Sequence, residues 1–342
     1  MEILFTCPPG LEDIVALELT EKAKVEKIEI RPFGIKGRLL AIVDTTIEKL
    51  LSMKSVEHIL IYLGSFNIKK DSEGLKQIYE KIKDIDFSQY LKKENTFRIT
   101  SERKGQHNFT SIDIQKVAGQ AIVDKYGNKV KLKGFDVEIR VDVIDEKCLV
   151  GIALTSKALH RRGYRVFNHP AALNPVIAYG MVRLSKFKEN EFLVDPMTGG
   201  GTIPIEAAMH VACKAKIVGL DINPKFVEGA KLNAEVAGVG KCINFEVWDC
   251  YKLSEKFKEV DKIVTNPPYG IRMGSISYVK RLFARFLEQA YKVLKNEGIF
   301  TTLALKKIHP LDLLEKVGFE IIEERNILHG NLNVDLIICR KL

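Results

Sequence analysis

The chain has 342 residues, 46% of them hydrophobic, and 53 Lys and Arg against 44 Asp and Glu give a net charge of +9. That length exceeds one typical domain and allows a sizeable core, so two or three domains of an ordinary soluble protein are expected. No apolar run nears the roughly 18 residues of a membrane span, and the first twenty residues, with Pro8, Pro9 and several acids but no basic start, argue against a signal peptide.

From the amino terminus, "PGLEDIVALELTEKA" has apolar residues at helical spacing at Leu11, Ile14, Val15 and Leu19. Strand-like "FRITSERKG" and "FDVEIRVDVIDEKCLVGIALT" flank the helix-like "IDIQKVAGQAIVDKY". Val137, Ile139, Val141 and Val143 alternate with charged residues, which predicts a half-exposed antiparallel strand. The first 165 residues therefore read as α+β modules without a glycine-rich strand-to-helix turn.

Charge is uneven along the chain. Residues 91–165 hold 16 Lys and Arg against 9 Asp and Glu, whereas residues 1–90 hold 13 against 15. A basic module beside a near-neutral one suits a phosphate backbone, because each neutralised phosphate releases counterions. The solvated surface of a heat-adapted protein is the alternative. The segment Ser156 to Pro175, rich in turn formers and arginine, reads as a linker.

From Phe192 onward short apolar runs alternate with amphipathic ones, the signature of βαβ units and a mostly parallel sheet. The last two runs are joined only by "HGN", too short for a crossover, so they pair antiparallel. "LVDPMTGGGTIPIEAA" is a strand, a turn with glycines at 199 to 201, and a helix. Such a turn lets a ligand approach the backbone, and the helix start offers unpaired N–H groups. Pro204 stands where a dinucleotide fingerprint needs its third glycine, and no lysine follows the turn as in a triphosphate loop.

Asp195, Asp221, Asp249 and Asn266 close four successive apolar runs. Carboxyl ends of neighbouring parallel strands line one crevice, so these side chains converge. Each alone reads more readily as a helix cap or turn residue. Together they suit a nucleotide-like cofactor, with an acid for ribose hydroxyls and another for an adenine amine. In "TNPPYG", Thr265 to Gly270, the Asn266 oxygen and the Pro267 carbonyl could accept both N–H groups of a ring amine, while Tyr269 offers a stacking face.

"DPMTGGG", "GLDIN", "WDC" and "NPPYG" in this order resemble the signature of S-adenosylmethionine-dependent amino-methyltransferases of nucleic-acid bases. "FRITSERKGQHNFTSIDIQKVAGQAI" and "LHRRGYR" resemble a THUMP domain preceded by a ferredoxin-like domain. The whole is similar to tRNA guanine-N2-methyltransferases that form N2-methylguanosine at position 6 of the acceptor stem, and to enzymes methylating a guanine of large-subunit ribosomal RNA. THUMP enzymes acting on a different tRNA guanosine usually carry Asp in place of Asn266.

The resemblance implies an α/β fold. A Rossmann-like class I methyltransferase domain at 176–342, with a seven-stranded sheet ending in an antiparallel hairpin, follows a ferredoxin-like domain at 1–65, a THUMP domain at 66–156 and a linker at 157–175. It implies S-adenosyl-L-methionine as cofactor. Asp195, Thr198, Gly199, Gly200, Gly201, Thr202 and Ile203 would hold its methionine end, Asp221 and Ile222 its ribose side, Asp249 and Cys250 its adenine. Asn266 borders both ligands, and with Pro267, Pro268 and Tyr269 it would hold the target guanine. "HPAALNP", His169 to Pro175, would cover the cofactor. Arg161, Arg162 and Arg165 either contact RNA phosphate or form a solvated linker, and His160 and His169 read as structural.

The expected partner is tRNA, gripped by the THUMP region, with no membrane and no metal, and the protein is expected to be a cytoplasmic monomer. A DNA amino-methyltransferase and an inactive RNA-binding module are the competing readings. The six cysteines, at 7, 148, 213, 242, 250 and 339, show no ligand-type spacing and read as buried thiols, neither a zinc site nor a disulfide framework.

Overall fold

The computed structural model describes residues 1–155, 157–269, 276–330 and 332–342. Ser156, which ends the expected THUMP segment, Gly270, which ends "TNPPYG", and Asn331 of "HGN" lie outside the described residues. The chain forms two compact units, one of Met1–Cys7 with Val15–Leu159 and one of Pro8–Ile14 with His160–Leu342.

In the first unit the strands are β1 (Glu2–Thr6), β2 (Lys24–Ile30), β3 (Arg38–Asp44), β4 (His58–Asn67), β5 (Thr96–Thr100), β6 (Arg103–Lys104), β7 (Lys129–Val130), β8 (Val137–Ile144) and β9 (Lys147–Ala153). The helices are α1 (Glu12–Lys22), whose residues up to Ile14 are assigned to the second unit, α2 (Ile47–Leu51), α3 (Ser72–Asp84) and α4 (Ser111–Tyr126). All nine strands form one sheet, in the order β2-β3-β1-β4-β9-β8-β5-β7 with β6 beside β8. The boundary expected between residues 65 and 66 falls within β4, which pairs with β1 through its first residues and with β9 along most of its length.

Local chemistry explains α4. Thr110 and Asp113 form a reciprocal capping box, and Gly127, with φ of 72°, ends the helix in the left-handed region. The helix buries Ile114, Ala118 and Ile122 against Phe97 and Ile139 of the sheet.

The polar side of β8 departs from expectation, because Asp142 on it is 1% exposed. Arg140 Nε lies 2.9 Å from Asp142, and Arg38 of β3 lies 2.7 Å from Glu102 and 3.5 Å from Asp142. Burial raises the Glu102 pKa, but Arg38, Lys104 and Arg140 outweigh it and hold the carboxyl down at about 2. The alternation is genuine, but its charged face meets partners distant in sequence instead of solvent.

The second unit contains α5 (Pro175–Leu184), β10 (Phe192–Asp195), α6 (Thr202–His210), β11 (Lys216–Asp221), α7 (Pro224–Val236), β12 (Ile243–Val247) and α8 (Leu253–Lys256). It continues with β13 (Val260–Thr265), α9 (Ile276–Val293), β14 (Leu294–Ala304), α10 (Pro310–Val317), β15 (Phe319–His329) and β16 (Leu332–Lys341). Its seven strands run β12-β11-β10-β13-β14-β16-β15. The first five are parallel, and β16 joins β14 and β15 antiparallel, as the short connection requires.

Successive sheet residues point to opposite cores. Leu193, Ile217 and Val264 pack with Ile177, Ile205 and Ala230 from α5, α6 and α7. Val194, Val218 and Ile263 pack with Phe283, Leu287 and Leu314 from α9 and α10. Helices therefore cover both faces, and the carboxyl ends of the parallel strands are left to build a site.

The cysteines correct the sequence reading in one respect. Cys213, just past α6, is disulfide-bonded to Cys242, next to the start of β12, with Cα atoms 5.4 Å apart. The two are 29 residues apart. They sit on the connections entering β11 and β12, neighbouring strands whose starts lie side by side, a proximity set by sheet topology and invisible in local spacing. Cys7, Cys148, Cys250 and Cys339 are free.

Candidate active site

Asp195 ends β10 and is 1% exposed. Its Oδ1 accepts hydrogen bonds from Thr265 Oγ1 at 2.8 Å and from the Met197 N–H at 3.2 Å. Burial, with the Asp221 charge added, outweighs these bonds and pushes the carboxyl up to about 7. The Thr265 bond also ties the end of β10 to the end of β13, directly before Asn266.

The glycine turn is held from β11. Asp221 accepts the Gly199 N–H at 2.9 Å with one carboxylate oxygen and the Asn223 N–H at 2.9 Å with the other. Gly201 precedes α6 with φ of 81°, a conformation side chains rarely adopt, and a Cβ there would come within 3.0 Å of Ala230 and 3.1 Å of Phe245. No side chain caps α6 at Gly201, so its first N–H groups are left for a ligand. Thr198 Oγ1 is buried near Asp195 but makes no well-formed hydrogen bond.

Thr202 and Ile203, in the first turn of α6, are buried, whereas Ile222, directly after Asp221, is 70% exposed. The Trp248 N–H donates to the Asp221 carbonyl at 3.1 Å, which brings Asp249 alongside. Asp249 Oδ1 accepts the Tyr251 N–H at 2.9 Å. The Cys250 thiol is half-buried, and burial together with the Asp249 charge pushes it up to about 12. An uncapped helix start, an unsatisfied hydroxyl, a side-chain-free turn, two acids on successive strands and an exposed isoleucine fit S-adenosyl-L-methionine: amino-acid end, ribose and purine in that order.

At the end of β13, Pro267 is buried and Pro268 exposed. Tyr269 packs against the apolar cluster beneath α5 to α7, and its hydroxyl donates to Asn266 Oδ1 at 2.6 Å. Burial raises the Tyr269 pKa well above its ordinary value. Its ring also meets the His329 ring edge-on, with centroids 6.0 Å apart. The hydroxyl of the tyrosine expected to stack on a base is thus engaged with Asn266.

Residues 160–174 pack within this unit more than a linker does. Arg162 Nε lies 3.0 Å from buried Glu206, and Tyr164 donates to the same carboxylate at 2.8 Å. Arg162 is thus turned inward, whereas Arg161 is exposed and Arg165 half-buried. A Cβ on Gly199 would lie 3.4 Å from the His169 ring, which meets Phe226 edge-on at 4.2 Å. Burial lowers the His169 pKa against the pull of Asp221.

Sequence reasoning missed Asn233 of α7. It is 2% exposed and accepts the Phe167 N–H at 2.8 Å. Its amide donates to the Phe167 carbonyl at 3.1 Å and to the Gly200 carbonyl at 2.9 Å. It therefore fastens the covering segment to the glycine turn. The signal available was a polar residue on the apolar face of an amphipathic helix. Among the described residues no group of three or more His, Cys, Asp or Glu is placed to hold a metal, and no helix is long and apolar enough to cross a membrane.

The fold and this sheet edge define an S-adenosyl-L-methionine-dependent methyltransferase of the Rossmann-like class. Residues 162–335 match the RMKL-like methyltransferase domain family, and residues 73–153 match the THUMP domain. The chain is 36% identical to a tRNA (guanine(6)-N2)-methyltransferase of Methanocaldococcus jannaschii, over 97% of this chain and 98% of that one. It is 34% identical to one of Archaeoglobus fulgidus, over 97% and 90%. The crystal structure of TrmN from Thermus thermophilus superposes with a TM-score of 0.83 at 28% identity, covering 100% of this chain and 99% of that one. The chain belongs to the family of THUMP-domain tRNA guanine-N2-methyltransferases.

Proposed function

We propose that the protein transfers the methyl group of S-adenosyl-L-methionine to the exocyclic 2-amino group of guanosine 6 in the acceptor stem of tRNA, forming N2-methylguanosine. The observation that carries this reading is the 36% identity, over nearly the full length of both chains, to a protein named for that position.

A guanine amine is a weak nucleophile because its lone pair is delocalised into the ring. Asn266 Oδ1 and the Pro267 carbonyl accept its two N–H groups, favouring the pyramidal amine and freeing the lone pair. Pro267 and Pro268 fix the backbone of the turn, so these acceptors need no reorganisation. When bound, S-adenosyl-L-methionine supplies an electrophilic methyl group on a sulfonium sulfur. Thr198 to Ile203 and Asp195 hold its amino-acid end, Asp221 and Ile222 the ribose side, and Asp249 and Cys250 the adenine. Holding the amine in line is the main catalytic contribution. Asn266 has no basic nitrogen and Tyr269 stays a neutral phenol, so the amine proton leaves to water.

A base in a stem must leave its stack to reach such a turn. The THUMP match at 73–153 and the basic excess of residues 91–165 support a backbone grip that provides for this, with Arg161 and Arg165 as further phosphate contacts. Position-resolved nucleoside analysis of tRNA from cells lacking the protein tests the reading. Loss of N2-methylguanosine at position 6 alone is expected. Its persistence there, or a loss confined to ribosomal RNA, contradicts it.

A further inference from the structure

The hydroxyl of Tyr269 has one proton and two acceptors within reach. Asn266 Oδ1 is 2.6 Å away, and His329 Nδ1, on the last residue of β15, is 3.5 Å away. The Tyr269 ring sits against an apolar cluster, so its hydroxyl has no easy route to solvent if it loses its partner. His329 also makes a hydrogen bond to the backbone of Ala172, in the covering segment, and its ring meets Tyr269 at 77°. Ala172 uses its own N–H on the His169 carbonyl, so its carbonyl is the group that receives a His329 N–H. A neutral imidazole carries one N–H and one lone pair, and with the lone pair on Nδ1 it accepts the Tyr269 hydroxyl.

The proposed reaction asks Asn266 Oδ1 to accept from the guanine amine. A carbonyl oxygen that already accepts one short hydrogen bond is a poorer acceptor for a second. We propose that His329 is a positioning residue for methyl transfer: it receives the Tyr269 hydroxyl as the substrate amine takes Asn266 Oδ1, leaving that oxygen to the amine. The hairpin that distinguishes this sheet from a plain dinucleotide fold thereby acquires a task at the reacting end of β13. The covering segment shares it, since Ala172 also engages the imidazole. This inference rests on Asn266 holding the target amine.

The test is a double-mutant cycle under saturating cofactor and tRNA, with His329→Phe, which keeps an aromatic ring but removes the acceptor, and Tyr269→Phe, which removes the hydroxyl. His329→Phe is expected to lower kcat roughly tenfold, as loss of one hydrogen bond acting at the transition state does, with unchanged affinity for S-adenosyl-L-methionine. His329→Asn, which restores a short acceptor, recovers most of the rate. In the Tyr269→Phe background, His329→Phe has no further effect. A wild-type kcat for His329→Phe, or an equal loss in both backgrounds, overturns the proposal. Asn266→Ala separates the two layers. If it is inactive while His329→Phe runs at the wild-type rate, only the role of His329 fails. If it methylates like wild type, the role of Asn266 fails and that of His329 with it.

Discussion

Arg162 Nε lies 3.0 Å from the carboxylate of Glu206, whose side chain is wholly buried and also accepts from Tyr164. A buried carboxylate stripped of its cation is strongly destabilising, typically by about 3–5 kcal/mol. Arg162→Ala is therefore expected to lower the melting temperature markedly. Arg161→Ala, at an exposed position two residues from Gly163, is expected to leave melting unchanged. It should instead reduce the slope of log affinity for tRNA against log salt by about one phosphate contact. Thermal melting and salt-dependent filter binding of both variants check this.

Asp195 makes stability depend on pH. Its carboxyl is raised from an ordinary 3.8 to about 7. Between these values the folded protein keeps a proton that the unfolded chain has released, so the contribution is full below about pH 4 and is lost as pH rises through about 7. Asp195→Asn keeps an oxygen for Thr265 and Met197 but cannot ionise. Its denaturant midpoint is expected to fall less than that of wild type between pH 5 and pH 8. Equal falls in the two proteins would count against the raised carboxyl.

Asn233 makes three hydrogen bonds that join Phe167 to Gly200. Removing it leaves part-buried backbone groups of Phe167 and Gly200 without these partners, each worth up to about 1–3 kcal/mol, and frees the cover over the glycine turn. Asn233→Ala is expected to weaken S-adenosyl-L-methionine binding about tenfold or more. Titration calorimetry reads this directly, and wild-type affinity in a folded variant would contradict the role.

The disulfide between Cys213 and Cys242 closes a loop of 29 residues. In the chain-entropy account, such a loop contributes roughly 3.5 kcal/mol. Alkylation after denaturation without reductant is expected to label four cysteines, and six once reductant is added. The reduced protein should melt at a lower temperature than the oxidised one.

The carboxyl-terminal half was legible because its signals are local. Alternating runs announce a parallel sheet, and parallel strand ends bring Asp195, Asp221 and Asn266 to one edge without long-range information. The short "HGN" stretch before Leu332 likewise forces an antiparallel hairpin. What stayed hidden depends on contacts between distant segments. Nothing near Arg162 shows that Glu206 waits 44 residues on. The alternation in β8 does not show that Arg38 comes to Asp142. Cys213 and Cys242 meet only because β11 and β12 are neighbours. The pairing of Tyr269 with Asn266 was missed for another reason: a tyrosine beside a site is read by its ring, and residue type alone does not say where its hydroxyl points.

The central claim is that Asn266 and its turn direct methyl transfer to guanosine 6. The most direct measurement incubates the purified protein with methyl-labelled S-adenosyl-L-methionine and an unmodified tRNA transcript, beside a transcript carrying adenosine at position 6, and maps the label. The account predicts label as N2-methylguanosine at position 6 of the first transcript, none in the second, and none with Asn266→Ala despite retained cofactor binding. Label in both transcripts, or undiminished transfer by Asn266→Ala, would contradict it.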